Sequence, residues 1–349
     1  MTSRARPITK RHHVLGITWE EHRRTRELCA WFGIPLHELT HRGSSSGRYA
    51  RLIWRTLALL AKERPQVVYV QNPSLILATL VLTARPFLGR YKIVMDAHNE
   101  AVTPFTHSYW PITSLTRRAL RRADVTIVTN EPLAQRVTEC GGRPLVLPDR
   151  LPHAPALDVA PAQATTPFHI MVVATYAADE PIANIIEAAR ELGPQFEFRI
   201  TGRETKLPEA QRSRLPANVK QTGFLPEEDY WRLMAGSHVV LDLTLKPDCL
   251  VCGAYEALAL RRPMILSPNP PSVALFSPAA VFVEDHSVGA IAAAITSTRD
   301  SYAQLTESVA IAAAEFPTMW ERQAAVLHAE MSLPAAPGST ESAQPGTSL

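Results

Sequence analysis

Short runs of apolar, mostly β-branched residues recur through the first half of the chain, at 14–18, 67–70, 93–96, 125–129 and 145–147. Between them the apolar positions return every three or four residues, as in 51–60, which suits amphipathic helices. Strands alternating with helices predict βαβ units and a parallel sheet. The segment 150–167 breaks the rhythm with repeated Pro and Ala, and no periodicity passes through it, so it reads as a linker. A second series follows, with strand-like runs at 170–173, 196–200, 219–220, 239–243, 264–266 and 281–283. Helical patterns lie between these runs, among them 182–192, with Asp179 as its expected N-cap and Pro181 in its first turn, and 227–234.

The expected fold is therefore α/β, two doubly wound Rossmann-like domains facing a central cleft. The boundaries read as 1–149 for the first domain, 150–167 for the linker and 168–315 for the second domain. A helical segment, 316–331, is expected to cross back onto the first domain, and a Pro-, Ser- and Thr-rich tail, 332–349, is expected to be disordered. A chain of 349 residues, 46% hydrophobic, is long enough for two cores. In such folds a ligand sits outside the carboxyl ends of the strands.

Four cysteines in so long a chain do not form a disulfide framework. No apolar signal segment follows the basic start, and the longest apolar stretch, 75–84, falls short of the ~20 residues a bilayer span needs. A reduced, cytoplasmic protein is expected. Charge divides unevenly: residues 1–150 hold 23 Lys and Arg against 11 Asp and Glu, and residues 151–349 hold 13 against 22. An excess of cations in one domain suits a phosphorylated ligand or an anionic membrane surface, and a peripheral position at the inner face of a membrane is expected, without a nucleic-acid partner.

The densest chemistry lies in Pro247-Asp248-Cys249-Leu250-Val251-Cys252-Gly253-Ala254-Tyr255-Glu256, followed by 257–263 and the apolar run 264–266. Two acids flank a glycine at a helix start, where free amides and the helix dipole can receive a diphosphate while the carboxylates bind hydroxyls. The segment resembles the nucleotide-sugar signature of GT-B glycosyltransferases of the family-4 type, a Glu-x7-Glu element in which the first acid is here Asp. The resemblance implies a sugar-nucleotide donor on the second domain. Glu256 would bind ribose, Asp248 and the Gly253 amide the sugar or phosphate, and Gly223, Phe224 and Leu225 would flank the base. Lys246 would approach a phosphate. His98, in Asp96-Ala97-His98-Asn99-Glu100 at the end of a strand-like run, would approach the donor sugar from the first domain. His98, Asp248 and Glu256 are thus the expected catalytic residues.

Two departures stand out. Many members of the resembling family carry Gly-Arg-x4-Lys at the start of the second domain, and this chain has Thr175 and Glu180 at those positions. Charge stabilisation is usually the largest catalytic contribution, so other cations are needed. Arg203, after Thr201-Gly202, and Lys246 are the expected substitutes, with Thr175 and Gly202 still placed at the donor. The first βα turn lacks a glycine-rich loop and instead presents Arg23, Arg24 and Arg26, candidates for an acceptor phosphate.

Cys249-x-x-Cys252 lacks two further ligands at ordered spacing, so neither a metal nor a cofactor is expected. The expected activity is metal-independent transfer of a sugar from a UDP-, GDP- or ADP-linked donor to an unknown acceptor, a lipid-linked or polysaccharide precursor. A sugar-nucleotide epimerase or hydrolase, and a non-catalytic partner protein with the same fold, are the alternatives.

Overall fold

The structure is a computed structural model that describes residues 14–41, 45–72, 75–97, 99–102, 110–155, 157, 165–277 and 279–331. His98, residues 156 and 158–164 of the linker and the tail 332–349 lie outside the described residues. The chain divides into two compact units, Met1–Pro148 with Glu321–Leu349, and Asp149–Trp320.

The first unit contains β1 (Val14–Thr18), β2 (Leu36–Glu38), β3 (Val67–Asn72), β4 (Lys92–Ala97), β5 (Val125–Val128) and β6 (Pro144–Val146). They form one parallel sheet in the order β2-β1-β3-β4-β5-β6. Every residue of β1 and β5 is buried, because helices cover both faces of the sheet. Strand β2, which reads Leu-His-Glu, escaped the sequence reading: it is a three-residue edge strand, half-buried, and carries no apolar run. Leu15, Ile17, Val68, Val70, Ile93 and Met95 fill the core with Leu52, Leu60, Leu77 and Val81 from the covering helices.

The second unit contains β7 (Phe168–Val172), β8 (Phe196–Thr201), β9 (Val219–Gly223), β10 (Val239–Asp242), β11 (Met264–Leu266) and β12 (Ala280–Phe282). Their order, β12-β11-β10-β7-β8-β9, is again parallel. The chain winds outward from β7 to β9, then returns to β10 on the other side of β7. The winding direction reverses between β7 and β10, and the carboxyl ends of these strands mark the place where such sheets bind ligands. Phe168, Ile170, Phe198, Ile200 and Leu241 build the core against Ile185 and Ala189 of the helix Ile182–Leu192 and Ile291 and Ile295 of Val288–Asp300.

Two local expectations change. The N-cap of Ile182–Leu192 is Pro181, without a side-chain cap. Asp179 instead accepts a 2.7 Å hydrogen bond from Thr244 Oγ1 and ties the start of this helix to the loop after β10. The last helix runs unbroken from Tyr302 to Glu330, beginning well before the expected segment. Within the first unit Glu330 pairs with Arg143, and its carbonyl accepts from Lys92 Nζ at 3.4 Å. Among the described residues no helix is long and apolar enough to cross a membrane.

The three arginines after β1 do not form a phosphate cluster. Arg24 is only 5% exposed. Its Nε lies 3.2 Å from Asp96 at the end of β4, and its Nη2 donates to the carbonyl of Leu147 at 2.8 Å. Tyr69 completes the buried network by donating to Asp96 Oδ2 at 2.7 Å, and burial and the Asp96 charge hold its phenol well above the usual range. Arg23 pairs with Glu27 on the next turn, and Arg26 pairs with Glu38 and Glu21. The sequence shows three cations on one turn, but the helix Arg23–Trp31 turns Arg24 inward, where only a buried carboxylate can satisfy it.

Removing one partner of a buried ion pair strands the other. Arg24→Ala is expected to lower the unfolding free energy by about 3–5 kcal/mol. Arg23→Ala, on the exposed face, is expected to change it by no more than about 0.5 kcal/mol. Urea denaturation of both variants checks the difference.

Candidate functional site

A cavity of about 560 Å³ opens at the carboxyl ends of β7, β8 and β9. Its floor is set by Gly202, just past β8, with φ +93° and an amide that donates to Gly223 O at 3.2 Å. A Cβ at position 202 would lie 2.2 Å from the carbonyl oxygen of Ala174, so only glycine lets the ends of β7 and β8 approach this closely. Phe224, Leu225 and Pro226 form an apolar wall, and the Phe224 ring is 80% exposed. A bulky aromatic held so openly beside a cavity is a surface waiting for a flat apolar partner.

Opposite chemistry comes from the segment after β8. Arg203 and Lys206 both line the cavity, and Lys206 is held by donating to the carbonyl of Thr175 at 2.8 Å. Lys206 escaped the sequence reading. Its position three residues beyond Arg203, across one tight turn, was the available signal, since Glu204–Lys206 forms a short 3₁₀ helix that brings the two cations together.

The two positions where the resembling family carries cations are bonded to each other. Thr175 donates to the Glu180 carboxylate from its backbone amide at 2.9 and 3.0 Å and from its hydroxyl at 2.6 Å. A carboxylate therefore stands where an ammonium was expected by analogy, and Arg203 and Lys206 supply the positive charge of the cavity. Of the two expected substitutes, Arg203 lines the cavity. Lys246 does not: it is exposed, with its Nζ 3.6 Å from Asp179.

The acid-glycine-acid element is arranged differently from its sequence reading. The Gly253 amide is not open to a phosphate, because it donates to Asp242 Oδ2 at 2.9 Å. A Cβ at 253 would lie 2.5 Å from that same oxygen, so the glycine is needed for the approach of helix Cys252–Ala259 to β10. Glu256 is the fifth residue of that helix, one turn beyond its start. Tyr230, from the helix Glu227–Ala235, lines the cavity and donates to Glu256 Oε2 at 2.7 Å, so Glu256 is joined to the cavity wall through one phenol. Burial and the Glu256 charge push that phenol far above its ordinary range.

Asp248 is half-buried in the loop before this helix and is not among the residues lining the cavity. Asn269 fastens the same loop by donating to the carbonyl of Cys249 at 3.1 Å. Burial pushes the Cys249 thiol up, and among the described residues no group of three or more His, Cys, Asp and Glu side chains is placed to hold a metal ion.

Asp242 itself was not anticipated. It ends the buried run Val239-Val240-Leu241, and burial pushes its carboxyl up to about 8, with Glu180, Glu256 and Asp179 adding repulsion and the Gly253 amide opposing the rise. Protonated in the folded chain up to that pH, it ionises near its ordinary 3.8 when unfolded. The folded state thus binds the extra proton between these limits, and stability falls as pH rises through the window, by at most about 1.4 kcal/mol per unit. Asp242→Asn keeps an oxygen for the Gly253 amide and removes the titration. Its stability relative to the parent chain is expected to increase steadily from pH 5 to pH 8, measured by urea denaturation across that range.

Two family models match, a glycosyl transferase 4-like domain over residues 5–148 and a glycosyl transferase-like domain over residues 180–322. No curated protein matches the sequence. Among solved structures the chain is similar to HepE of Anabaena in complex with UDP, at 16% identity and a TM-score of 0.67 over 90% of this chain and 92% of that one. It is similar to a glycosyltransferase of Rickettsia africae, at 10% identity and a TM-score of 0.68 over 94% of this chain and all of that one. It is also similar to a putative UDP-N-acetylglucosamine 2-epimerase of Listeria monocytogenes, at 12% identity and a TM-score of 0.57 over 93% and 98%. These likenesses share the two-sheet fold described above, and with both halves of the chain matched by glycosyltransferase models the protein belongs to the GT-B glycosyltransferases of the family-4, or group 1, type.

Proposed function

We propose that this protein transfers a sugar from a nucleotide-sugar donor whose nucleoside diphosphate occupies the cavity at the ends of β7, β8 and β9. The observation that carries the reading is the pairing of Arg203 and Lys206 with the apolar wall of Phe224, Leu225 and Pro226 in one cavity. A base is flat and apolar on its faces, and a diphosphate is doubly charged, so the two chemistries match the two ends of such a ligand. That HepE was solved with UDP makes UDP the first nucleotide to test.

In this reading the departing diphosphate gathers charge as the bond to the anomeric carbon breaks. Arg203 and Lys206 receive that charge, and no divalent ion is needed to neutralise it. Glu256, oriented by Tyr230, accepts hydrogen bonds from donor hydroxyls. Asp248, on the neighbouring loop, acts on the sugar only if that loop closes over it. His98 keeps its proposed place at the donor sugar, and the acceptor is supplied from the first unit.

A second reading has its own observation. The Thr175–Glu180 clasp removes both cations that the family ordinarily offers, which suits a partner protein that keeps the fold without turning over. Calorimetric titration with UDP, GDP and ADP separates the readings. Selective binding of one nucleotide is expected, weakened about tenfold or more by Lys206→Ala through loss of one charge-assisted contact. Failure of the folded protein to bind any of the three would favour the non-catalytic reading. With a nucleotide-sugar of the bound class, transfer that requires an acceptor distinguishes a transferase from an epimerase or hydrolase.

A further inference from the structure

In the first unit the connections from β2 to β3, β3 to β4 and β4 to β5 all advance in one direction across the sheet. Right-handed crossovers then place the helices Ser45–Glu63, Leu75–Leu88 and Trp110–Arg122 in one layer on one face, and they pack side by side there. Together these three helices contain nine Lys or Arg residues and a single acid, Glu63, which is itself paired with Lys62. Asp124, just past Trp110–Arg122, pairs with Arg85 at 3.0 Å, and the next acids lie on the helix Glu131–Glu139.

The outward side of this layer is not simply a solvated basic surface. Trp54 is 70% exposed between Arg51 and Arg55, and Phe87 is 83% exposed at the end of its helix, near Arg90. Ile76, Ile112 and Leu115 are exposed on the same layer, and Arg117, Arg118, Arg121 and Arg122 project from the last of the three helices. Lys62 and Arg85 have acid partners, but large apolar side chains interleaved with the exposed arginines of Ser45–Glu63 and Trp110–Arg122 are costly to leave in water and poorly matched to a neutral protein surface. They fit the boundary of an anionic bilayer, where Trp and Phe enter the headgroup region and arginines meet phosphates.

We infer that the outward face of these three helices is a docking surface for an anionic lipid bilayer. The chain lies on the membrane through this face, with Trp54 and Phe87 as apolar anchors and the arginines of Trp110–Arg122 as the electrostatic contact. The surface belongs to the first unit, and the inference does not rest on the donor-site reading.

Flotation of the full chain with vesicles of phosphatidylcholine alone, and of phosphatidylcholine with 30 mol% phosphatidylglycerol (about that fraction being enough to set a strong surface potential), tests it. Binding is expected only to the anionic vesicles, to weaken as salt is raised, and to fall by more than about 100-fold in Arg117→Glu/Arg118→Glu/Arg121→Glu, since each basic residue near the surface contributes about a fivefold factor and the new carboxylates add repulsion. Trp54→Ser/Phe87→Ser is expected to reduce binding while retaining its salt dependence. Unchanged circular dichroism and unchanged urea denaturation of both variants would show that they fold. Equal binding to neutral and anionic vesicles, no binding to either, or full retention by the charge-reversed variant would overturn the inference. Binding to duplex DNA without binding to vesicles would overturn it in favour of a nucleic-acid surface.

Discussion

The hydrogen bond from the Gly253 amide to the buried carboxyl of Asp242 organises the second unit's site. It sits where the winding of the sheet reverses and joins the first turn of helix Cys252–Ala259 to the end of β10. No side chain larger than hydrogen fits at 253, so the approach is fixed by sequence. With the helix start fixed, Glu256 falls one turn further along, in reach of Tyr230, and Tyr230 carries that connection into the cavity wall. The same bond changes what the helix start can do. An amide that already serves Asp242 is not available to a phosphate, so in the proposed reading the charge of a diphosphate is met elsewhere in the cavity.

In that reading Arg203 and Lys206, which line the cavity on the other side of β7, meet the requirement. The segment after β8 is held close to β7 by Gly202, whose approach to Ala174 tolerates no Cβ, and by the bond from Lys206 to Thr175. The Thr175–Glu180 clasp fills the place left by the absent cations and satisfies the first free amide after β7. The site thus combines a familiar framework with cations drawn from a different loop. Glycosyl transfer asks chiefly for positioned positive charge, and that charge need not come from one particular strand.

Much of the architecture was legible because parallel strands covered on both faces must be written as continuous apolar runs. Val239-Val240-Leu241 and Ile93-Val94-Met95 could hardly be anything else. The misses share a physical origin: they depend on contacts distant in sequence. The edge strand Leu36–Glu38 has no apolar run because one side faces solvent. Arg24 looked like one of three surface cations, and its partner Asp96 lies 72 residues away. Asp179 looked like a cap, and its partner Thr244 lies 65 residues away. Asp242 appeared only as the acid ending a buried strand, and Gly253 as an open helix start, until each was placed against the other. Glu256 was expected in the first turn of its helix but is its fifth residue, and its link to Tyr230, 26 residues away, had no local signal.

A crystal structure of the protein with UDP tests the central claim most directly. The account predicts the diphosphate within hydrogen-bond distance of both Arg203 and Lys206, the base against Phe224 and Leu225, and the Gly253 amide still bonded to Asp242. A diphosphate seated on the Gly253 amide with Asp242 displaced, or one that touches neither Arg203 nor Lys206, would contradict it.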